Sequence, residues 1–110
     1  MINVDILRSD GATYGFTCAG HADYDEYGRD IVCSAVSAIT QTCILGLTKV
    51  AKIEAGISVD DDNGIVCILD RDTDKEQLQQ AQLLFDTLVQ GLSSIESAYP
   101  NTLNIIHREV

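Results

Sequence analysis

Residues 2–8 (INVDILR) alternate apolar and polar positions with the period of two that a half-buried strand requires. Asp10-Gly11 supplies a tight turn, and residues 13–20 (TYGFTCAG) return as a second strand, so the chain opens with a hairpin. Residues 22–29 (ADYDEYGR) are polar and contain a glycine, the pattern of an exposed loop. From Asp30 to about Glu54 the period changes. Ile31, Ala35, Ile39, Cys43, Gly46, Leu47, Val50 and Ile53 step by three or four, which predicts a long helix with that stripe inward and Gly56 as its C-terminal cap. ISVD and IVCILD then form two strands around Asn63-Gly64, a pair suited to positive φ. A second helix starts near Asp74. Its apolar face runs Leu78, Ala81, Phe85, Leu88, Leu92, Ile95 and Tyr99, and Pro100 stops it. The last segment, TLNIIHREV, is rich in strand formers and predicts a fifth strand, at an edge of the sheet. The order β-β-α-β-β-α-β implies an α+β fold of two layers, a mostly antiparallel sheet with both helices packed on one face.

At 110 residues this is one domain, and 45% hydrophobic with 22% charged residues is ordinary globular composition. The net charge of −10 argues against direct nucleic-acid binding, because phosphate affinity comes largely from Lys and Arg, of which there are only seven. MINVDILRSD lacks the basic and apolar regions of a signal peptide. The apolar stretch from Ile31 to Ile53 is interrupted by Thr40, Gln41, Thr42, Lys49 and Lys52, so no membrane partner is expected. A cytoplasmic setting with reduced thiols is therefore expected for Cys18, Cys33, Cys43 and Cys67, which contain no C-x-x-C pair.

One of these thiols has a distinctive setting. His21 falls at the end of the second strand, and Cys33 falls in the first turn of the first helix, three residues after the expected N-cap Asp30. A helix N-terminus favours a thiolate, and a neighbouring imidazole favours it further by taking the proton. Asp30 could cap the helix or orient the imidazole, and amides beside Cys33 could serve an oxyanion. Ser37, four residues after Cys33, falls on nearly the same helix face. A cysteine on a helix is more often simply packed. That is the reading for Cys18, Cys43 and Cys67, whereas Cys33 follows a polar loop of the kind that carries function.

The block "GHADYDEYGRDIVCSAVS" resembles the signature of the ribosomal-processing cysteine protease family called Prp, through Gly20-His21-Ala22, Gly28, Asp30-Ile31-Val32-Cys33, Ala35 and Ser37. Length and element order resemble the family over essentially the whole chain. Ser34 departs from it, standing where alanine is common. The resemblance implies a cysteine endopeptidase with a His21–Cys33 dyad, with Asp30 and Ser37 supporting. The substrate loop would comprise Ala22, Asp23, Tyr24, Asp25, Glu26, Tyr27, Gly28 and Arg29. It further implies removal of a short N-terminal extension from large-subunit ribosomal protein number twenty-seven after a pair of aromatic residues, a homodimer, and a loop that stays mobile until substrate binds. No metal or other cofactor is needed for that chemistry. The alternative is a non-catalytic ribosome-associated binding module in which Cys33 is a structural thiol.

Three other patterns carry less. Cys18 and His21 differ by an odd number on one strand and would face opposite sides of the sheet, which disfavours a Cys18–His21–Cys33 metal site. DRDTD (residues 70–74) lacks the glycine and glutamate of a calcium loop and reads as a helix cap, while DDDN (residues 60–63) reads as a solvated hairpin tip. His107 has no evident role.

Overall fold

The computed structural model describes residues 1–26, 30–60 and 64–110. In order they form β1 (Ile2–Ser9), β2 (Ala12–Ala19), α1 (Ile31–Leu45), a π-helical turn (Gly46–Val50), β3 (Ala55–Asp60), β4 (Gly64–Leu69), α2 (Lys75–Ala98) and β5 (Leu103–Glu109). Among the described residues the strands form one sheet in the order β3-β4-β2-β1-β5. Its pairings are antiparallel except β1 with β5, which is parallel because α2 carries the chain back across the sheet. The expected α+β architecture and the edge position of β5 are both observed.

The register explains which face is covered. Val4 pairs with Cys18 and Ile6 with Phe16, while Phe16 and Cys18 also pair with Cys67 and Ile65. Ile2 pairs with Leu103. These side chains share one face and are all buried, together with Val32 and Val36 from α1 and Ala81, Phe85, Leu88 and Leu92 from α2. Phe16 and Phe85 meet edge to face, with ring centroids 6.4 Å apart. The first hairpin turns through Asp10 (φ 52) and Gly11 (φ 80), the pair of positive φ values that Asp-Gly accommodates. Asp74 caps α2 by accepting from the Gln77 amide, as the helix-cap reading of residues 70–74 requires.

The first helix departs from expectation in two ways. Its buried residues are Val32, Val36, Thr40, Cys43 and Ile44, so the inward stripe is rotated from the predicted one; Ile31 and Ala35 are exposed and Val50 is 80% exposed. The segment is apolar on nearly every side, and a period of 3.6 then cannot say which side faces the sheet. By length and composition Ile31–Val50 is apolar enough to cross a membrane. In this fold its stripe packs instead against the sheet and α2. Buried Thr40 is satisfied by donating its hydroxyl to the Val36 carbonyl at 2.8 Å. The second departure is at the C-terminus. The helix widens after Leu45, Ala51 N–H bonds to the Gly46 carbonyl at 2.9 Å, and the chain reverses at Lys52 (φ 58). Gly56 is therefore not a cap but the second residue of β3.

Candidate active site

The covered face of the sheet ends in a cleft of about 850 Å³ between the start of α1 and the β3–β4 edge. Cys33, Ser34, Ser37 and Gln41 form its helical wall, and Cys18, Val59 and Ile65 belong to its strand side. His21 and Asp23 enter from the loop that follows β2. The cleft thus gathers His21, Cys33, Asp30 and Ser37, four residues the sequence singled out.

Local chemistry explains how they meet. β2 stops at Ala19 because Gly20 takes φ 98, where an added Cβ would lie 2.5 Å from the Met1 carbonyl oxygen. This turn breaks the strand alternation. Cys18 and His21 consequently line the same cleft, contrary to the parity expectation. Among the described residues, however, no cluster of three or more His, Cys, Asp or Glu side chains is placed to hold a metal ion.

Asp30 is the organising side chain. It is only 6% exposed, and its Oδ1 accepts from the amides of Val32 (3.0 Å) and Cys33 (3.1 Å), capping α1 as expected. Its Oδ2 accepts from the amides of Tyr24 (2.9 Å) and Asp25 (3.4 Å), clasping the loop onto the helix. Burial opposes the charge of this carboxylate, but the four amides outweigh it and hold its pKa below the usual value. The loop has two further ties. Asp23 (φ 56) approaches the N-terminal ammonium at 3.5 Å, and the Tyr24 ring meets Tyr99 edge to face at 5.1 Å. Ala22 is buried and Glu26 exposed, while Tyr27, Gly28 and Arg29 of the expected substrate loop, and Asp61, Asp62 and Asn63, expected at a hairpin tip, lie outside the described residues. Gly64 has the positive φ expected of its turn, 84°. Ser37 Oγ accepts from the Gln41 side chain at 2.8 Å.

Cys33 is half-buried, unlike the other three thiols, which are all buried. The Ala22 amide donates to its Sγ at 3.3 Å. Contrary to the sequence expectation, its pKa is raised. Burial is the largest cause, and the nearby Asp30 and Asp23 carboxylates add to it against the opposing Ala22 hydrogen bond. The Asp30 carboxylate that caps this helix N-terminus is thus itself one of the groups that raise the thiol pKa. The expected oxyanion donors at the helix start are spent as well: Val32 and Cys33 bond to Asp30 Oδ1, and the Ser34 amide bonds to the Asp30 carbonyl at 3.1 Å.

Burial pushes Cys18 and Cys67 up to about 11 and Cys43 up to about 12, with a further push from Cys33 on Cys18 and from Cys67 on Cys43. Iodoacetamide is therefore expected to modify only Cys33 in the native chain, with a rate that climbs as pH rises through and beyond the ordinary thiol range. Intact mass should show one adduct when native and four after unfolding. Rapid native labelling below neutral pH would instead reveal a resting thiolate.

Comparison with known proteins identifies relatives over nearly the whole chain. The family model described as cysteine protease Prp matches residues 1–104. The ribosomal processing cysteine protease Prp of Staphylococcus aureus is 35% identical over 98% of this chain and 100% of its own, and that of Bacillus subtilis is 31% identical over 96% of each. A crystal structure of the Staphylococcus aureus protease with a covalently linked product peptide superposes with a TM-score of 0.83 at 30% identity, covering 98% of this chain and 100% of that one. A second, with a substrate peptide, gives 0.79 at 29% identity over the same shares.

Proposed function

This chain belongs to the Prp family of cysteine proteases, hydrolases by chemistry, and from that premise we propose that it matures a ribosomal protein by cutting a short N-terminal extension with a His21–Cys33 dyad. One observation carries the assignment to these residues: of the four cysteines, only Cys33 is not buried, and it opens into a cleft that His21 also lines. In this reading His21 takes the Cys33 proton as Sγ attacks the scissile carbonyl, then returns it to the leaving amine. Water hydrolyses the acyl-enzyme. Asp30 positions both the helix start and the loop, and Ser37 lines the wall beside the nucleophile.

The substrate side of the proposal rests on relatives named for ribosomal processing and solved with substrate and product peptides. Large-subunit protein number twenty-seven is the specific candidate, with cleavage after an aromatic pair. The net charge of −10 favours encounter with a basic ribosomal protein, as steering rather than as affinity. The homodimer and the cytoplasmic setting implied by the resemblance belong to the same proposal.

The test is direct. A synthetic peptide spanning the N-terminal extension of the host's own protein is incubated with the chain, and the products are read by mass spectrometry. One cut following two aromatic residues is expected. Cleavage at scattered positions, or none by a folded and alkylation-competent chain, would remove this substrate assignment.

A further inference from the structure

We propose that the backbone amide of Ala22 is the donor that receives the oxyanion when Cys33 attacks its substrate; the inference rests on Cys33 being the nucleophile. In acylation, Sγ bonds to the scissile carbonyl carbon and the carbonyl π pair moves onto oxygen. The thiol proton passes to the His21 imidazole. Collapse re-forms the carbonyl, breaks the C–N bond and delivers that proton to the departing amine. Water then repeats the sequence, with thiol and carboxylic acid as products. In both tetrahedral states the negative oxygen sits two bonds from Sγ, so its donor must already lie beside that sulfur.

The start of α1 is the first place to look, and it is occupied. The amides of Val32 and Cys33 are committed to Asp30 Oδ1, and that of Ser34 to the Asp30 carbonyl. Releasing them would uncap the helix and unclasp a buried carboxylate. The Ala22 amide differs. Its partner is Sγ itself, at 3.3 Å, and a neutral thiol is a weak acceptor. That hydrogen bond gives little in the ground state and far more once a full negative charge forms nearby, the differential binding that accelerates a reaction.

The amide is also held in place beforehand. Gly20 (φ 98) and Asp23 (φ 56) fix the chain on either side of it, and the Ala22 methyl group is buried in the core. Two and three residues on, the amides of Tyr24 and Asp25 are anchored on Asp30 Oδ2. A donor fixed this way needs no reorganisation as charge develops.

The experiment is a full-length chain assembled by peptide ligation with L-lactic acid in place of Ala22. An ester oxygen then replaces the N–H and the methyl group stays. Cleavage of the ribosomal-extension peptide should lose about 10²–10³-fold in kcat with KM little changed, and a peptide aldehyde should lose affinity in parallel. A kcat within about threefold of the parent chain overturns the proposal. A second measurement does not depend on the ester chain folding: in the ¹⁵N-labelled parent, the Ala22 amide proton should move downfield when a peptide aldehyde adds to Cys33. A shift at the Cys33 or Ser34 amide, with Ala22 unmoved, equally overturns it. Cleavage that survives Cys33→Ala would instead sink the dyad reading, so the two failures are distinguishable.

Discussion

Cys33→Ala is expected to lower cleavage of the extension peptide by at least about 10⁴-fold while the chain stays folded. The activity loss follows from removing the sulfur that forms the acyl-enzyme in the proposed dyad mechanism. The fold survives because Cys33 is half-buried at the cleft wall, where truncation opens onto solvent rather than a sealed cavity. Its thermal midpoint should fall by no more than about 5 °C, corresponding to a loss of about 1 kcal/mol. Cys43→Ala is the matched control. That side chain is buried between the helices and its sulfur approaches the Leu84 carbonyl, so its replacement should lower stability and leave kcat intact. His21→Ala should match Cys33→Ala in activity, since a thiol of raised pKa needs a base to take its proton. Undiminished turnover in Cys33→Ala would falsify the dyad and restore the binding-module reading with Cys33 as a structural thiol.

Asp30 carries the second large effect. Asp30→Asn can keep Oδ1 as the cap of α1, but it replaces Oδ2 with an NH₂ group facing the Tyr24 and Asp25 amides. Donors then face donors and the loop loses its clasp, carrying His21 and Ala22 out of register with Cys33. A fall in kcat of about 10²-fold or more is expected, with far less loss of stability than in Asp30→Ala. Asp30→Ala removes cap and clasp together and should cost about 2–4 kcal/mol.

The pH dependence separates positioning from thiol activation. Removing the Asp30 charge takes away one of the groups that raise the Cys33 pKa, so alkylation in Asp30→Asn should shift to lower pH even as kcat falls. A residue that only stabilised the fold would not move that profile. Stability should respond as well. The Asp30 pKa is depressed in the folded chain, so its contribution is fully present above the unfolded value of about 3.9 and disappears as pH falls through the lower folded value. Asp30→Asn should lack that acid-side loss, as measured by thermal midpoints across the range. An unchanged kcat together with an unchanged alkylation profile would remove Asp30 from the site.

Sequence alone determined what depends on near neighbours. The alternation of β1 and the Asp10-Gly11 turn specify the first hairpin, and the apolar stripe of α2 was legible because a polar face sets it off. The block from Gly20 to Ser37 identified the family and the residues that converge on the cleft, because a contiguous motif needs no tertiary information to be read. The tertiary structure decided the rest. The inward face of α1 was hidden by apolar residues on nearly every side, and only packing against the sheet and α2 selected Val32, Val36 and Thr40. Gly56 resembles a helix cap locally, yet Lys52 turns the chain and pairing with β4 draws that glycine into β3. The state of the Cys33 thiol was likewise out of reach. It depends on a buried carboxylate that spans helix and loop, and on the Ala22 amide brought back across eleven residues. Electrostatic and hydrogen-bonding energies follow distance through space, and no local pattern along the chain encodes that distance.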